Sequence, residues 1–160
     1  MIVFHVENEE QTLKLGQVIG QNIVPGMIIC LKGDLGAGKT TLTKGIAKGL
    51  GIDNHATSPT FTIINEYEGK CKLYHIDTYR IESVDEMIDL GIEDYLPAEN
   101  GATVVEWPEL IEELLPIDRV VLTIVPEGIS ERKIIVQIYG ENPFHEGLLR
   151  ELKNYDSIGD

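Results

Sequence analysis

Met27-Ile28-Ile29-Cys30-Leu31-Lys32-Gly33-Asp34-Leu35-Gly36-Ala37-Gly38-Lys39-Thr40-Thr41 joins a strand-length apolar run to a glycine-rich turn, a lysine and two threonines. A continuous apolar run of this length reads as a buried strand. The turn matches the P-loop pattern, Gly-x4-Gly-Lys-Thr, in the strand–loop–helix context the motif requires. Its glycines let the backbone wrap closely around phosphate oxygens, so that the N–H groups form an anion nest. The helix that follows, predicted from Lys39 to Leu50 and ended by Gly51, adds its positive end. Gly33, Asp34, Leu35, Gly36, Ala37 and Gly38 are the expected cradle. Lys39 supplies charge to the β- and γ-phosphates, the Thr40 hydroxyl is a Mg²⁺ ligand, and Thr41 reaches the α-phosphate.

Outward from this stretch, strands and helices alternate. Strands are predicted at 2–6, 27–32, 62–67, 72–77, 102–106, 120–125 and 133–139, and helices at 9–22, 39–50, 83–90, 109–115 and 144–152. Glu68-Gly69-Lys70 is a hairpin signal, and the last two strands read as a second hairpin. Ser83 with Glu86 three residues on reads as a capping box. The pattern predicts a single-domain α/β fold over residues 1–153, with a mostly parallel central sheet flanked by helices and antiparallel edge hairpins. A frayed tail is expected over residues 154–160.

In such sheets ligands bind at the carboxyl ends of the strands. Two carboxylates stand there. Asp77 closes Lys72-Leu73-Tyr74-His75-Ile76, and Glu106 closes Ala102-Thr103-Val104-Val105. A P-loop site needs a carboxylate that holds Mg²⁺, directly or through water, and a group that orients the attacking water. Chain order alone does not divide those two roles between Asp77 and Glu106. The Thr57-Ser58-Pro59-Thr60-Phe61 connection lies where P-loop proteins reach over the γ-phosphate, and Thr60 is the candidate sensor. Trp107 either packs over the site, faces a partner or sits in the core. His75 reads as a satisfied core or surface histidine, and Arg80 as a phosphate or partner contact or an ordinary surface ion pair.

The net charge is −14, with 13 Lys plus Arg against 27 Asp plus Glu. Nucleic-acid backbones are bound by basic patches, so this surface is poorly suited to hold RNA directly. No apolar stretch approaches the roughly 20 residues of a membrane helix, and the first residues lack the pattern of a signal peptide. Cys30 and Cys71 fall in strand-like runs without metal spacing and read as buried reduced thiols, as expected in the cytoplasm. An Asn-Lys-x-Asp segment for guanine is absent. The arginines Arg80, Arg119, Arg132 and Arg150 are scattered rather than gathered as in a kinase lid. A nucleotide-gated binding subunit with incidental hydrolysis remains as the reading from a different class.

Five motifs stand together in one order: residues 33–41 (Gly-Asp-Leu-Gly-Ala-Gly-Lys-Thr-Thr), Ser58-Pro59-Thr60-Phe61, His75-Ile76-Asp77-Thr78-Tyr79-Arg80, Leu90-Gly91-Ile92-Glu93-Asp94-Tyr95 and Val105-Glu106-Trp107-Pro108-Glu109. In this the chain resembles the TsaE family, also called YjeE, over residues 5 to 140. The resemblance implies a cytoplasmic ATPase, weak alone, that serves synthesis of threonylcarbamoyladenosine at position 37 of tRNA. It implies TsaD and TsaB as partners, which carry out the transfer and contact the tRNA, with ATP and Mg²⁺ as cofactors. It further implies Lys39 and Thr40 at phosphate and metal, Thr60 in a switch loop, Asp77 and Glu106 as acidic site residues with Glu106 on Mg²⁺, and Glu9 and Arg132 approaching the nucleotide.

Overall fold

A computed structural model of the chain describes residues 1–52 and 63–158. The Thr57–Phe61 connection, and Thr60 with it, lies outside the described residues. The elements in chain order are β1 (Ile2–Val6), α1 (Glu9–Gln21), β2 (Ile28–Lys32), α2 (Lys39–Gly49), β3 (Ile64–Glu68), β4 (Lys72–Asp77), α3 (Val84–Asp89), β5 (Gly101–Glu106), β6 (Arg119–Pro126), β7 (Arg132–Tyr139) and α4 (Glu146–Ile158). Short 3-10 segments occupy Ile92–Tyr95, Pro108–Leu114 and Pro143–His145.

The strands form one seven-stranded sheet in the order β1-β7-β6-β2-β5-β4-β3. Its centre, β6-β2-β5-β4, is parallel. The β3–β4 and β6–β7 pairs are antiparallel, and β1 joins β7 antiparallel at the far edge. This is the expected parallel centre with antiparallel margins. The apolar run that opened the chain's reading becomes the middle of the sheet, and alternate residues serve opposite cores. Ile29 and Leu31 enter one cluster, and Ile28 and Cys30 enter the other. Burial pushes the Cys30 thiol up to about 12, which makes it inert.

The two faces are covered differently. On one, α1, α2 and α4 bury Leu15, Ile19, Leu42, Ile46, Leu148 and Leu152 against the strands. Helices α1 and α2 touch backbone to backbone through Gly16 and Gly20 of one and Gly45 and Gly49 of the other. A methyl group at Gly20 would overlap the Ile46 carbonyl, and one at Gly49 the Gln17 carbonyl. On the opposite face, among the described residues, the two-turn α3 and two 3-10 segments supply Met87, Ile92 and Ile111. The chain from Ile81 to Asp118, which builds this layer, contains no lysine or arginine and carries Asp85, Glu86, Asp89, Glu93, Asp94, Glu112 and Glu113 among its acids.

Local details depart from the sequence reading in three places. Ser83 is the N-cap of α3, but its side chain makes no capping bond; Glu86 reaches past it and accepts the Glu82 N–H at 3.3 Å. The segment expected as a helix over 109–115 is a 3-10 run broken at Ile111 (φ −127°, ψ 24°). The closing helix starts at Glu146, after a turn capped by Asn142, and continues through Ile158 rather than stopping at Leu152. The Leu148-Leu152-Tyr155 stripe explains the extension. Tyr155 packs on the core and meets the Phe4 ring with centroids 6.0 Å apart, so Asn154 and the residues after it continue the helix.

Candidate nucleotide site

The loop between β2 and α2 is shaped by two glycines that no other residue replaces without strain. Gly36 has φ 79° and Gly38 φ 114°, both in the left-handed region. Nothing lies within 4 Å of a Cβ built at either position, so their outer side opens on space rather than on packed protein. The first helix-closing bond of α2 runs from Leu42 N–H to the Gly38 carbonyl at 3.0 Å. The N–H groups of Lys39, Thr40 and Thr41 precede it and have no partner within the helix, which is the arrangement that receives an anion. No side chain caps this end, and no acid sits in its first turn.

Lys39 is 6% exposed. Its ammonium donates to the Gly33 carbonyl at 2.5 Å and lies 3.5 Å from the centroid of the Trp107 ring, a cation–π contact. Burial pulls the Lys39 pKa down, while Glu106, Glu109, Asp77 and Asp34 oppose that pull.

The carboxylates arrive from neighbouring strands. Strands β4 and β5 pair in parallel register, with His75 opposite Val104 and Asp77 opposite Glu106. The two-residue period therefore sets His75, Asp77 and Glu106 on one face of the sheet, the face that α2 covers. Glu106 is 3% exposed, and its Oε2 lies 2.6 Å from Nε2 of His75, itself 1% exposed. A carboxylate accepts, so Nε2 carries the proton. Nδ1 is buried without a hydrogen-bond partner.

Immediately after Glu106 the backbone turns sharply. Trp107 adopts φ 60°, ψ 51°, a left-handed conformation that costs a bulky residue about 1–3 kcal/mol. Thr78 holds it there. This fully buried hydroxyl lies 3.1 Å from the Glu106 carbonyl and 2.5 Å from the Trp107 carbonyl. The Tyr79 ring flanks the indole at 4.9 Å, and the Asp77 carboxylate accepts the Tyr79 N–H at 2.9 Å. The result is a cavity of about 410 Å³ lined by Glu9, Leu35, Gly36, Gly38, Lys39, Thr40, Thr41, Asp77, Tyr79, Arg80, Glu106 and Trp107. Its volume lies in the ordinary range of small-molecule sites.

Most residues singled out from sequence thus meet around one cavity, Glu9 and Arg80 included. Gly33, Asp34 and Ala37 belong to the loop without lining the cavity. Arg132 is outside the lining as well. Its Nε donates to the Ala37 carbonyl at 2.8 Å, and Nη1 is within 3.2 Å of the Gly128, Ile129 and Glu131 carbonyls, so it braces the loop from β7. The sequence reading left Trp107 between site and core, and the structure places it on Lys39. Thr78 and Tyr79 stand in the His75–Arg80 motif, but nothing in the sequence assigns them the part they play around Trp107.

A glycine-rich loop set between a buried parallel strand and a helix, at the carboxyl edge of such a sheet, belongs to the P-loop class of nucleotide-binding proteins. Comparison with known proteins narrows the class. The profile of the family described as "Threonylcarbamoyl adenosine biosynthesis protein TsaE" matches residues 6–134. The chain is 45% identical to the Bacillus subtilis tRNA threonylcarbamoyladenosine biosynthesis protein TsaE, over 94% of this chain and 93% of that one. It is 42% identical to the Aquifex aeolicus protein of the same name, over 84% and 92%. The crystal structure of Bacillus subtilis YdiB superposes with a TM-score of 0.81 at 39% identity, covering 97% of this chain and 95% of that one. The chain belongs to the TsaE family and has its role in tRNA threonylcarbamoyladenosine synthesis. Among the described residues no helix is long and apolar enough to cross a membrane.

Proposed function

We propose that the chain is a cytoplasmic Mg²⁺-dependent ATPase that drives the threonylcarbamoyl-transfer machinery of its TsaD and TsaB partners and leaves the transfer itself to them. The observation that carries this reading is the convergence of Lys39, Asp77 and Glu106 on one cavity at the open end of the P-loop. Backbone N–H groups at the start of α2 receive the phosphates, and Lys39 adds a point charge to the β- and γ-oxygens. Thr40 with Glu106 or Asp77 would hold Mg²⁺, which supplies charge neutralisation on the phosphate oxygens. The carboxylate not on the metal orients the attacking water, and Thr60 senses the γ-phosphate. Glu9 borders the nucleotide from α1, and Arg132 keeps the loop in shape through Ala37. The Lys39 ammonium is already engaged by Gly33 and Trp107. Nucleotide must draw it from both, which accords with weak turnover alone. With its net charge of −14 the chain meets tRNA only through its partners.

Phosphate release and ATP affinity, measured on the chain alone and with TsaD and TsaB, test the assignment. Lys39→Ala is expected to weaken ATP binding and turnover by about 100-fold or more, in line with removal of a charge from a preorganised site. Glu106→Ala is expected to lower turnover far more than binding. Unchanged affinity and hydrolysis in Lys39→Ala would overturn the site, and full activity of Glu106→Ala would remove its role.

A further inference from the structure

We propose that His75 is a positioning residue for Glu106: its buried Nε2–H···Oε2 bond, reaching from β4 to β5, fixes the carboxylate in the orientation that hydrolysis requires. The role rests on the ATPase reading above. His75 is absent from the cavity lining, while Glu106 is part of it, so the histidine acts on the site only through the carboxylate. The 2.6 Å contact lies between side chains 1% and 4% exposed, where a hydrogen bond to a charged group is short and strong. A glutamate has three side-chain torsions, and fixing them costs up to about 2 kcal/mol of rotamer freedom. A bond from a rigid ring on a paired strand absorbs that cost before substrate arrives.

The arrangement is poorly explained as a device for stability. A buried polar pair is often no better than apolar side chains of equal volume. Here Nδ1 is left buried and unpartnered, a desolvation penalty that an apolar residue would avoid. Leu73, two residues earlier on the same face of β4, shows that the apolar solution fits this surface. The register adds a second argument. β4 presents His75 and then, two residues on, Asp77 directly opposite Glu106. One strand thus delivers both the group that holds Glu106 and the second carboxylate of the cavity.

Two polar substitutions separate orientation from mere occupancy. Glutamine places an amide N–H where Nε2 stands, whereas asparagine reaches only as far as Nδ1. In the full chain, with ATP and Mg²⁺, His75→Asn is expected to lower kcat by about 10- to 100-fold, the usual effect of removing a partner that orients a site carboxylate. KM and ATP affinity by calorimetry should stay within about 3-fold of wild type. His75→Gln is expected to restore kcat to within about 3-fold of wild type, a rescue that lost packing does not predict. His75→Leu, which fills the space without a donor, repeats the comparison should His75→Asn not fold. Equal turnover of the Gln and Asn (or Leu) variants, or wild-type kcat without the donor, would overturn the role while wild-type hydrolysis kept the ATPase reading standing. A wild-type chain that releases no phosphate with its partners would overturn the ATPase reading and this role together.

Discussion

The two faces of the sheet solve the same burial problem in opposite ways. One is closed by three long helices, two of them pressed together through four glycines, and its surface carries Lys14, Lys44, Lys48 and Lys153. The other is closed by a two-turn helix and 3-10 segments, and the stretch that builds it holds acids without a lysine or arginine. The nucleotide cavity lies where the two meet: α2 and its loop come from the thick side, and Trp107 introduces the Pro108–Leu114 segment of the thin side. The difference teaches a division of labour. The glycine-locked layer keeps the phosphate cradle in one shape. The thin layer carries the element that touches Lys39, and few buried side chains hold it down.

Three substitutions probe that contrast. The largest effect is expected at the helix crossing. Gly20→Leu forces α1 away from the Ile46 carbonyl, and it should cost about 3 kcal/mol or more, read as a lower urea midpoint. A loss under about 1 kcal/mol would show that the layer yields. Next comes Thr78→Val, which strips the hydroxyl from the Glu106 and Trp107 carbonyls and leaves each with only a backbone partner, the Thr78 N–H and the Leu110 N–H. An expected loss of about 0.5–1.5 kcal/mol should come with altered nucleotide affinity, since the indole is then free to leave Lys39. Unchanged affinity would detach the thin layer from the site.

The smallest effect concerns His145, 3% exposed with neither ring nitrogen hydrogen-bonded. Burial lowers its pKa from 6.5, against a smaller opposing pull from Asp118. The unfolded chain therefore binds the proton more readily than the folded one. Stability from this group is full above about pH 6.5 and is lost as pH falls through that value. Melting midpoints between pH 7.5 and 5.5 should decline in wild type and decline less in His145→Leu.

The fold was legible because the central strands are buried on both sides and read as near-continuous apolar runs such as Met27–Leu31 and Val120–Val125. The loop was legible because its glycines serve local backbone geometry. What depended on distant neighbours was not. The His75–Glu106 bond joins residues 31 apart and exists only because β5 inserts beside β4 in one register. The left-handed Trp107 runs against the preference of any bulky residue, so no propensity could signal it. The helix crossing did leave a trace, Gly16-x3-Gly20 and Gly45-x3-Gly49, but each pair acquires meaning only when the other is placed against it. The last helix outruns its sequence signal because Tyr155 becomes the third member of an apolar stripe only when Phe4 lies beside it.

Trp107 is the chain's single tryptophan. Its indole sits against the ammonium of Lys39, the lysine of the P-loop. The molecule thereby carries its own optical gauge: emission excited at the red edge reports on the Lys39 contact and on the cavity that the indole lines, without a dye or a label. Nucleotide should shift that emission in wild type, and the shift should need about 100-fold or more nucleotide in Lys39→Ala, so the strained turn after Glu106 makes occupancy of the cradle visible in real time.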